Sequence, residues 1–172
     1  MKHITQEQFR TMPWKNGGGI TTEIYRMAGI EAEEFVFRLS MAHIENDGPF
    51  SRFDGYDRHL ILLQGNGCIL DSNGKQLALT NSSKPYSFAG ERKIDCRLIE
   101  GPVIDFNVII SRNWGTALVE VSQDTKDQLI KCHDEMLFFF DVKTNELWIL
   151  TNGEELKSKA RKAITIRIAK LT

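Results

Sequence analysis

The sequence predicts an all-β fold of the sandwich or barrel type. Three observations carry this: many segments rich in β-branched and aromatic residues, period-two alternation in several of them, and turn formers between them. The predicted strands are 34–44 (EFVFRLSMAHI), 58–64 (RHLILLQ), 67–71 (GCILD), 75–80 (KQLALT), 103–110 (VIDFNVII), 116–122 (TALVEVS), 136–142 (MLFFFDV), 146–151 (ELWILT) and 163–171 (AITIRIAKL). Asn73-Gly74 and Asn152-Gly153 read as hairpin turns of the type that needs positive φ at both central positions. Lys143-Thr144-Asn145 reads as a turn between two further strands. Helical signals are weak. Residues 5–10 suit one turn after Thr5, residues 123–132 suit two with Asp124 as N-cap, and residues 154–162 have helical propensity without an apolar stripe.

A chain of 172 residues suits one domain or two small, closely packed lobes. Such a chain buries about two-thirds of its unfolded surface and needs no covalent staples. Its formal charge of −1 supplies no broad positive field, so neither nucleic acid nor an anionic membrane is an expected partner. The cysteines Cys68, Cys96 and Cys132 lack CxxC spacing, and their odd number suits reduced thiols. The first residues, MKHITQEQFRTMPWKNGGG, contain no apolar core of a signal peptide. The longest apolar run, Met136 to Phe140, falls far short of the about 20 residues that span a membrane. The expected location is cytoplasmic.

Polar residues on the strands point to a cavity. In 35–42, Phe35, Phe37, Leu39 and Met41 share an apolar core face, while Val36, Arg38, Ser40 and Ala42 share the other. In 103–110, Phe106, Val108 and Ile110 face one way, and Asp105, Asn107 and Ile109 the other. A cation, a hydroxyl, a carboxylate and an amide among buried positions suggest a polar cup. Buried charge must be paired or solvated. Arg38 or Arg58 could therefore simply pair with Asp105 and brace the sheet. The alternative leaves an arginine fork partly free to take a ligand carboxylate, with Asn107 and Ser40 orienting it.

Two loops could close such a site. In PWKNGGG (13–19), consecutive glycines imply a tight path or a close approach, or merely a flexible turn. Trp14, Lys15 and Asn16 beside them would suit a lid over a small anion. Neither GxxxxGK[ST] nor GxGxxG is present, so this is no phosphate loop. In DGPFSRFDGYDR (47–58), Gly48-Pro49 and Asp54-Gly55 are turn formers. Phe50 and Phe53 are expected to anchor the loop in the core, Ser51 and Arg52 to be exposed, and Arg58 to enter the cavity mouth.

The segments MPWKNGGG followed by I-T-x-EI, then FRLSMA, DGPFSRFDGYDR, LLQGNG and GPVIDFNVI, resemble the signature segments of the HutD/Ves family in the same order, densely over residues 12–112. The resemblance implies a cupin-like double β-barrel (a bicupin) with few short helices. It implies a first lobe over about 1–112 that carries the motifs and a smaller second lobe over 113–172, interleaving left open. It also implies a regulatory or accessory protein in histidine utilisation or stress response, sensing a small acid such as formylglutamate or urocanate. Matched by motif, the pocket residues would be Lys15, Asn16, Thr21, Glu23, Arg38, Ser40, Arg58, Asp105, Asn107 and Arg112. Phe37 stands where the family often has tryptophan, and Ile104 where a basic residue is common.

Metal-dependent cupins use an HxH pair, a glutamate and a later histidine. Here His3, His43, His59 and His133 are scattered, and His59 should face away from Arg58, so neither a metal nor another cofactor is expected. No GxSxG elbow is present, and Cys132-His133-Asp134 is too local to form a thiol–imidazole pair. Glu23 and Asp105 would be the acid–base pair of a metal-free isomerase or lyase if their strands were neighbours. An interaction module with a vestigial pocket is the remaining alternative, and association into a homodimer stays open.

Overall fold

The computed structural model describes residues 1–29, 34–80, 84–123 and 126–171. Its strands are β1 (Lys2–Ile4), β2 (Arg10–Pro13), β3 (Gly19–Ala28), β4 (Phe35–Ile44), β5 (Gly48–Pro49), β6 (Tyr56–Gln64), β7 (Cys68–Ser72), β8 (Lys75–Leu79) and β9 (Tyr86–Ala89). They continue with β10 (Asp95–Leu98), β11 (Val103–Ser111), β12 (Gly115–Gln123), β13 (Gln128–Lys131), β14 (Met136–Asp141), β15 (Glu146–Thr151), β16 (Glu155–Ser158) and β17 (Lys162–Lys170). A single 3₁₀ turn at Gln6–Gln8 is the only helix among the described residues. Among the described residues no helix is long and apolar enough to cross a membrane. The all-β expectation holds.

The chain divides into two compact units, Phe9–Arg112 and a second made of Met1–Gln8 with Asn113–Thr172. The first eight residues thus group with the C-terminal stretch, whereas the family likeness placed them in the first lobe. The reason is a backbone ladder: Lys2, His3 and Ile4 pair with Ile149, Trp148 and Leu147 of β15.

In the unit Phe9–Arg112, a six-stranded sheet runs β2-β3-β4-β11-β6-β9 and a four-stranded sheet β5-β10-β7-β8. All pairings are antiparallel. The two share one apolar cluster, with Ala42, Ile44, Leu60, Leu62 and Val103 from the larger sheet against Cys68, Leu70, Leu79 and Cys96 from the smaller. These ladders are open, so the closed barrel of the sequence reading is replaced by two facing sheets. The C-terminal unit repeats the plan with β1-β15-β14-β17-β12 and the small pair β13-β16. There Leu137, Phe139, Leu150 and Ala163 meet Ile130, Leu156 and Trp148.

Turn chemistry came out unevenly. Asn73 (φ 53°) and Gly74 (φ 80°) make the expected hairpin between β7 and β8. Asn145 (φ 53°) closes the β14–β15 turn by bonding the Asp141 carbonyl. Asn152-Gly153 is not a hairpin turn. Only Gly153 has positive φ, and the strands on either side belong to different sheets. The corner is held by Gly153 N–H to the Cys132 carbonyl and Cys132 N–H to the Glu154 carbonyl.

The helical expectation for 123–132 fails: Gln128–Lys131 is a strand paired with β16, and Asp124 lies outside the described residues. The same ladder makes Glu155–Ser158 extended. Ile130 and Leu156 reach the core from this pair, and that burial outweighs a modest helix propensity.

Phe139 is fully buried and Leu118 is 59% exposed. Phe139→Ala should therefore cost about 3–5 kcal/mol in urea unfolding, and Leu118→Ala no more than about 0.5. A larger loss at Leu118 would contradict this packing.

Candidate functional site

The register of the six-stranded sheet dictates what meets what. Thr21, Ala42, Asp105 and Leu62 form one lateral row across β3, β4, β11 and β6. Glu23, Ser40, Asn107 and Leu60 form the next, and Arg26, Arg38, Ile109 and Arg58 the third. Residues opposite one another point to the same face. The alternation read from the sequence is therefore realised: Phe37, Leu39, Phe106, Val108 and Ile110 are fully buried on the far face, while Arg38, Ser40, Asp105 and Asn107 line a cavity on the near one.

That cavity has a volume of about 520 Å³. Lys15, Asn16, Thr21, Arg38, Ser40, Arg58, Asp105 and Asn107 of the anticipated residues lie in its wall. Glu23 and Arg112 do not. Glu23 shares the row of Ser40 but stands outside the lining, 4.0 Å from Arg26. Arg112 is consumed at the sheet edge, donating to the Tyr56 carbonyl (2.9 Å), Asp57 (3.0 Å) and Glu91 (2.6 Å). With Glu23 outside, the cavity has no pair of carboxylates.

Arg58 and Asp105 do not form the anticipated ion pair, and neither does Arg38 with Asp105. Arg58 lies opposite Ile109, one row from Asn107 and two from Asp105, so its head meets the amide first. Arg58 Nη2 donates to Asn107 Oδ1 at 2.6 Å, and Asn107 Nδ2 donates to Asp105 Oδ1 at 2.6 Å. A guanidinium can only donate, which fixes the amide orientation. Arg58 Nη1 donates to the Ser51 carbonyl at 2.9 Å, and the Arg58 head lies 5.1–5.5 Å from the ring centres of Phe88, Phe53 and Phe50. Arg38 stacks on Phe35 and on the same Phe53, at 5.3 and 5.4 Å. Among the described residues no carboxylate pairs with Arg38, and Nε of both arginines is buried without a partner.

Burial sets the electrostatics. Asp105 is 3% exposed, and desolvation pushes its carboxyl up to about 7 against the opposing pull of Arg58 and of hydrogen bonds from Ala42 N–H and Asn107. Desolvation likewise brings Arg58 down to about 10. Arg38 is lowered by burial, with Glu23 opposing.

The loops form the walls. Gly19 is required by close approach: a Cβ there would stand 2.4 Å from the His43 carbonyl oxygen. Gly17 adopts φ 70°. The turn directs Trp14 across the wall, where Nε1 donates to Thr21 Oγ1 at 2.7 Å. Segment 47–58 is pinned by Leu98 N–H to Asp47 (2.8 Å), Phe50 N–H to the Ile94 carbonyl (2.9 Å) and Phe53 N–H to the Gly90 carbonyl (2.9 Å). Phe50 does pack against the core, but both it and Phe53 also line the cavity. Ser51 is exposed as expected, yet its carbonyl is a ligand of Arg58. Trp14, Phe50, Phe53 and Ser51 are the wall residues that alternation alone could not reveal, since none lies on a long strand.

His43 pairs loosely with Glu45 (3.6 Å), and His59, on the phase opposite to Arg58, meets Ser87 (2.7 Å). Among the described residues no group of three or more His, Cys, Asp or Glu is placed to hold a metal ion.

A carboxyl with a raised folded-state pKa stabilises the fold fully below its unfolded value, and that contribution is lost as pH rises through the folded one. Asp105 should therefore make stability decline between about pH 4 and pH 7. Denaturation of wild type and Asp105→Asn across this range should show a difference that grows in favour of the variant as pH rises. A constant difference would contradict the raised carboxyl.

The HutD family model matches residues 6–169. An uncharacterized 21.2 kDa protein from the hutC 3′ region of Pseudomonas putida is 42% identical over 106 residues, 62% of this chain and 56% of that protein. Protein Ves of Escherichia fergusonii is 33% identical over 120 residues, 67% of this chain and 62% of that one. The matched stretch thus spans about three-fifths of these curated relatives. The solved structure of HutD from Pseudomonas fluorescens SBW25 superposes with a TM-score of 0.86 at 30% identity, covering 99% of both chains. On this sequence and structural likeness, the chain belongs to the HutD family.

Proposed function

We propose that this chain is a metal-independent, cupin-like protein that binds a small carboxylate ligand in the Arg38–Arg58 cavity. The observation that carries this is a pair of half-spent guanidinium groups. Lys15, Arg38 and Arg58 line the cavity against the single carboxylate of Asp105. Both arginines line the cavity with a buried, unpartnered Nε behind each head, and both heads lie over the Phe53 ring. A carboxylate matches a guanidinium fork in geometry and charge, and Asn16, Ser40 and Asn107 supply the few polar groups that orient a small ligand.

The two units, each with a pair of antiparallel sheets, support reading the chain as a double cupin. The relatives' names, HutD and a hutC-region protein, fit the accessory or regulatory role in histidine utilisation that the family likeness implied, and the name Ves fits stress response as the second setting; a cytoplasmic location goes with either role. On that role, formylglutamate- and urocanate-like acids are the first ligands to try. An isomerase or lyase using Glu23 with Asp105 has less support, because Glu23 stands outside the cavity wall.

Thermal-shift screening with a panel of small carboxylates tests the reading. A true ligand at a hundredfold excess over its dissociation constant should stabilise by about 2.7 kcal/mol. Arg38→Ala and Arg58→Ala should each weaken the best hit by about 2–5 kcal/mol, the usual cost of removing one side of a buried charged contact. A well-folded protein that ignores the whole panel, or hits that survive both substitutions, would sink the proposal.

A further inference from the structure

An anion entering this cavity meets Asp105, and the hydrogen-bond chain decides what happens to that carboxyl. Asp105 has no direct ion pair; it senses Arg58 through the Asn107 amide. Asn107 Nδ2 needs an acceptor, and the Asp105 oxygen facing it remains one whether the group is a carboxylate or a neutral acid. The Asn107–Asp105 contact therefore persists in either protonation state.

The groups facing Asp105 can be named strand by strand. β6 contributes Arg58 and β4 the Ala42 N–H, with Ser40 and Arg38 further along. β11 contributes Asn107 itself. From the opposite sheet, Cys96 on β10 lies close enough to feel the charge of Asp105, and its hydrogen-bond partner is Cys68 on β7. The Cys96 thiol is pushed up by that bond, by burial and by Asp105 and Asp47, so it stays neutral. The glycine turn adds Lys15 to the wall. Glu23, outside it, acts on Arg38.

We propose that the cavity takes up its anion together with one proton, which Asp105 accepts, so that ligand and proton bind cooperatively. This rests on the carboxylate-binding reading above. What decides is the local field at buried Asp105 rather than the net charge of the wall, which stays positive. What holds Asp105 ionised is the field of Arg58; a ligand carboxylate set against the Arg58 or Arg38 guanidinium in the cavity wall offsets that field and brings a second negative charge beside the first. Two anions placed side by side cannot both stay charged cheaply when one of them is desolvated, and the buried Asp105, with its accessible neutral state, takes the proton. Reciprocity then requires that protonating Asp105 tighten anion binding by the factor by which the anion favours protonation.

Formate is a suitable probe, because it is the smallest carboxylate and stays ionised near neutral pH. Its affinity for the whole chain, followed by NMR titration from pH 5.5 to 8.5, should be flat at the acidic end and fall about tenfold per pH unit at the alkaline end. Asp105→Asn should bind formate with a pH-independent affinity close to the acidic limit of wild type. A wild-type affinity that does not change with pH would overturn the proposal while leaving carboxylate binding intact. No formate binding at any pH would overturn both. If Asp105→Asn fails to fold, calorimetry of wild type at pH 8 in two buffers of different ionisation enthalpy reads the proton directly. Uptake approaching one proton per formate supports the coupling, and zero uptake overturns it.

Discussion

A buried cation in the cavity wall without a carboxylate in direct contact is the constraint on which the site depends. Arg58 is 6% exposed, and a bare buried charge would cost several kcal/mol. The protein solves this with the Ser51 carbonyl, the Asn107 amide oxygen and the faces of Phe50, Phe53 and Phe88. Dipoles and quadrupoles stabilise a charge without neutralising it. The positive field thus survives inside the cavity, where a direct carboxylate partner would have cancelled it.

Much of the surrounding architecture follows from that requirement. The Ser51 carbonyl is in place only because segment 47–58 is tied down at Asp47, Phe50 and Phe53. Phe53 then lies under both arginines, so one ring fixes two cations whose strands are separated by β11. With neighbouring strands about 4.8 Å apart, the two backbones stand roughly 10 Å apart across Ile109. That separation lets the two guanidinium groups share the Phe53 ring while Arg58 alone takes the Ser51 carbonyl and the Asn107 amide.

The parts of the site on long central strands were legible in the sequence, because period two is a geometric necessity there. Arg38 and Ser40 among phenylalanines, and Asp105 and Asn107 among valines and isoleucines, could only lie on a face that needed polar groups. Edge elements were not legible. β13 and β16 owe their form to each other's backbone, a partnership that composition does not encode. β3 was absent from the predicted strands as well, since its polar stretch Thr21-Thr22-Glu23 lacks the apolar alternation that marks the central strands until β4 supplies its partners. Arg112 illustrates the limit of motif matching: it sits in the family segment, yet Glu91, 21 residues away in sequence, takes its fork.

The expected Arg–Asp pair failed for a reason that bears on mechanism. Sequence alternation says which residues share a face, but lateral register says which rows they occupy, and Asn107 occupies the row between. An amide there carries the influence of the arginine to the aspartate as a polarised hydrogen-bond chain rather than as a contact pair. Its two ends are not equivalent, because Oδ1 must face the permanent cation and Nδ2 must face the group able to change its charge. A direct pair would have locked Asp105 ionised and left Arg58 spent. The interposed amide keeps Arg58 partly available and Asp105 titratable, and both properties disappear together if the amide is removed from between them.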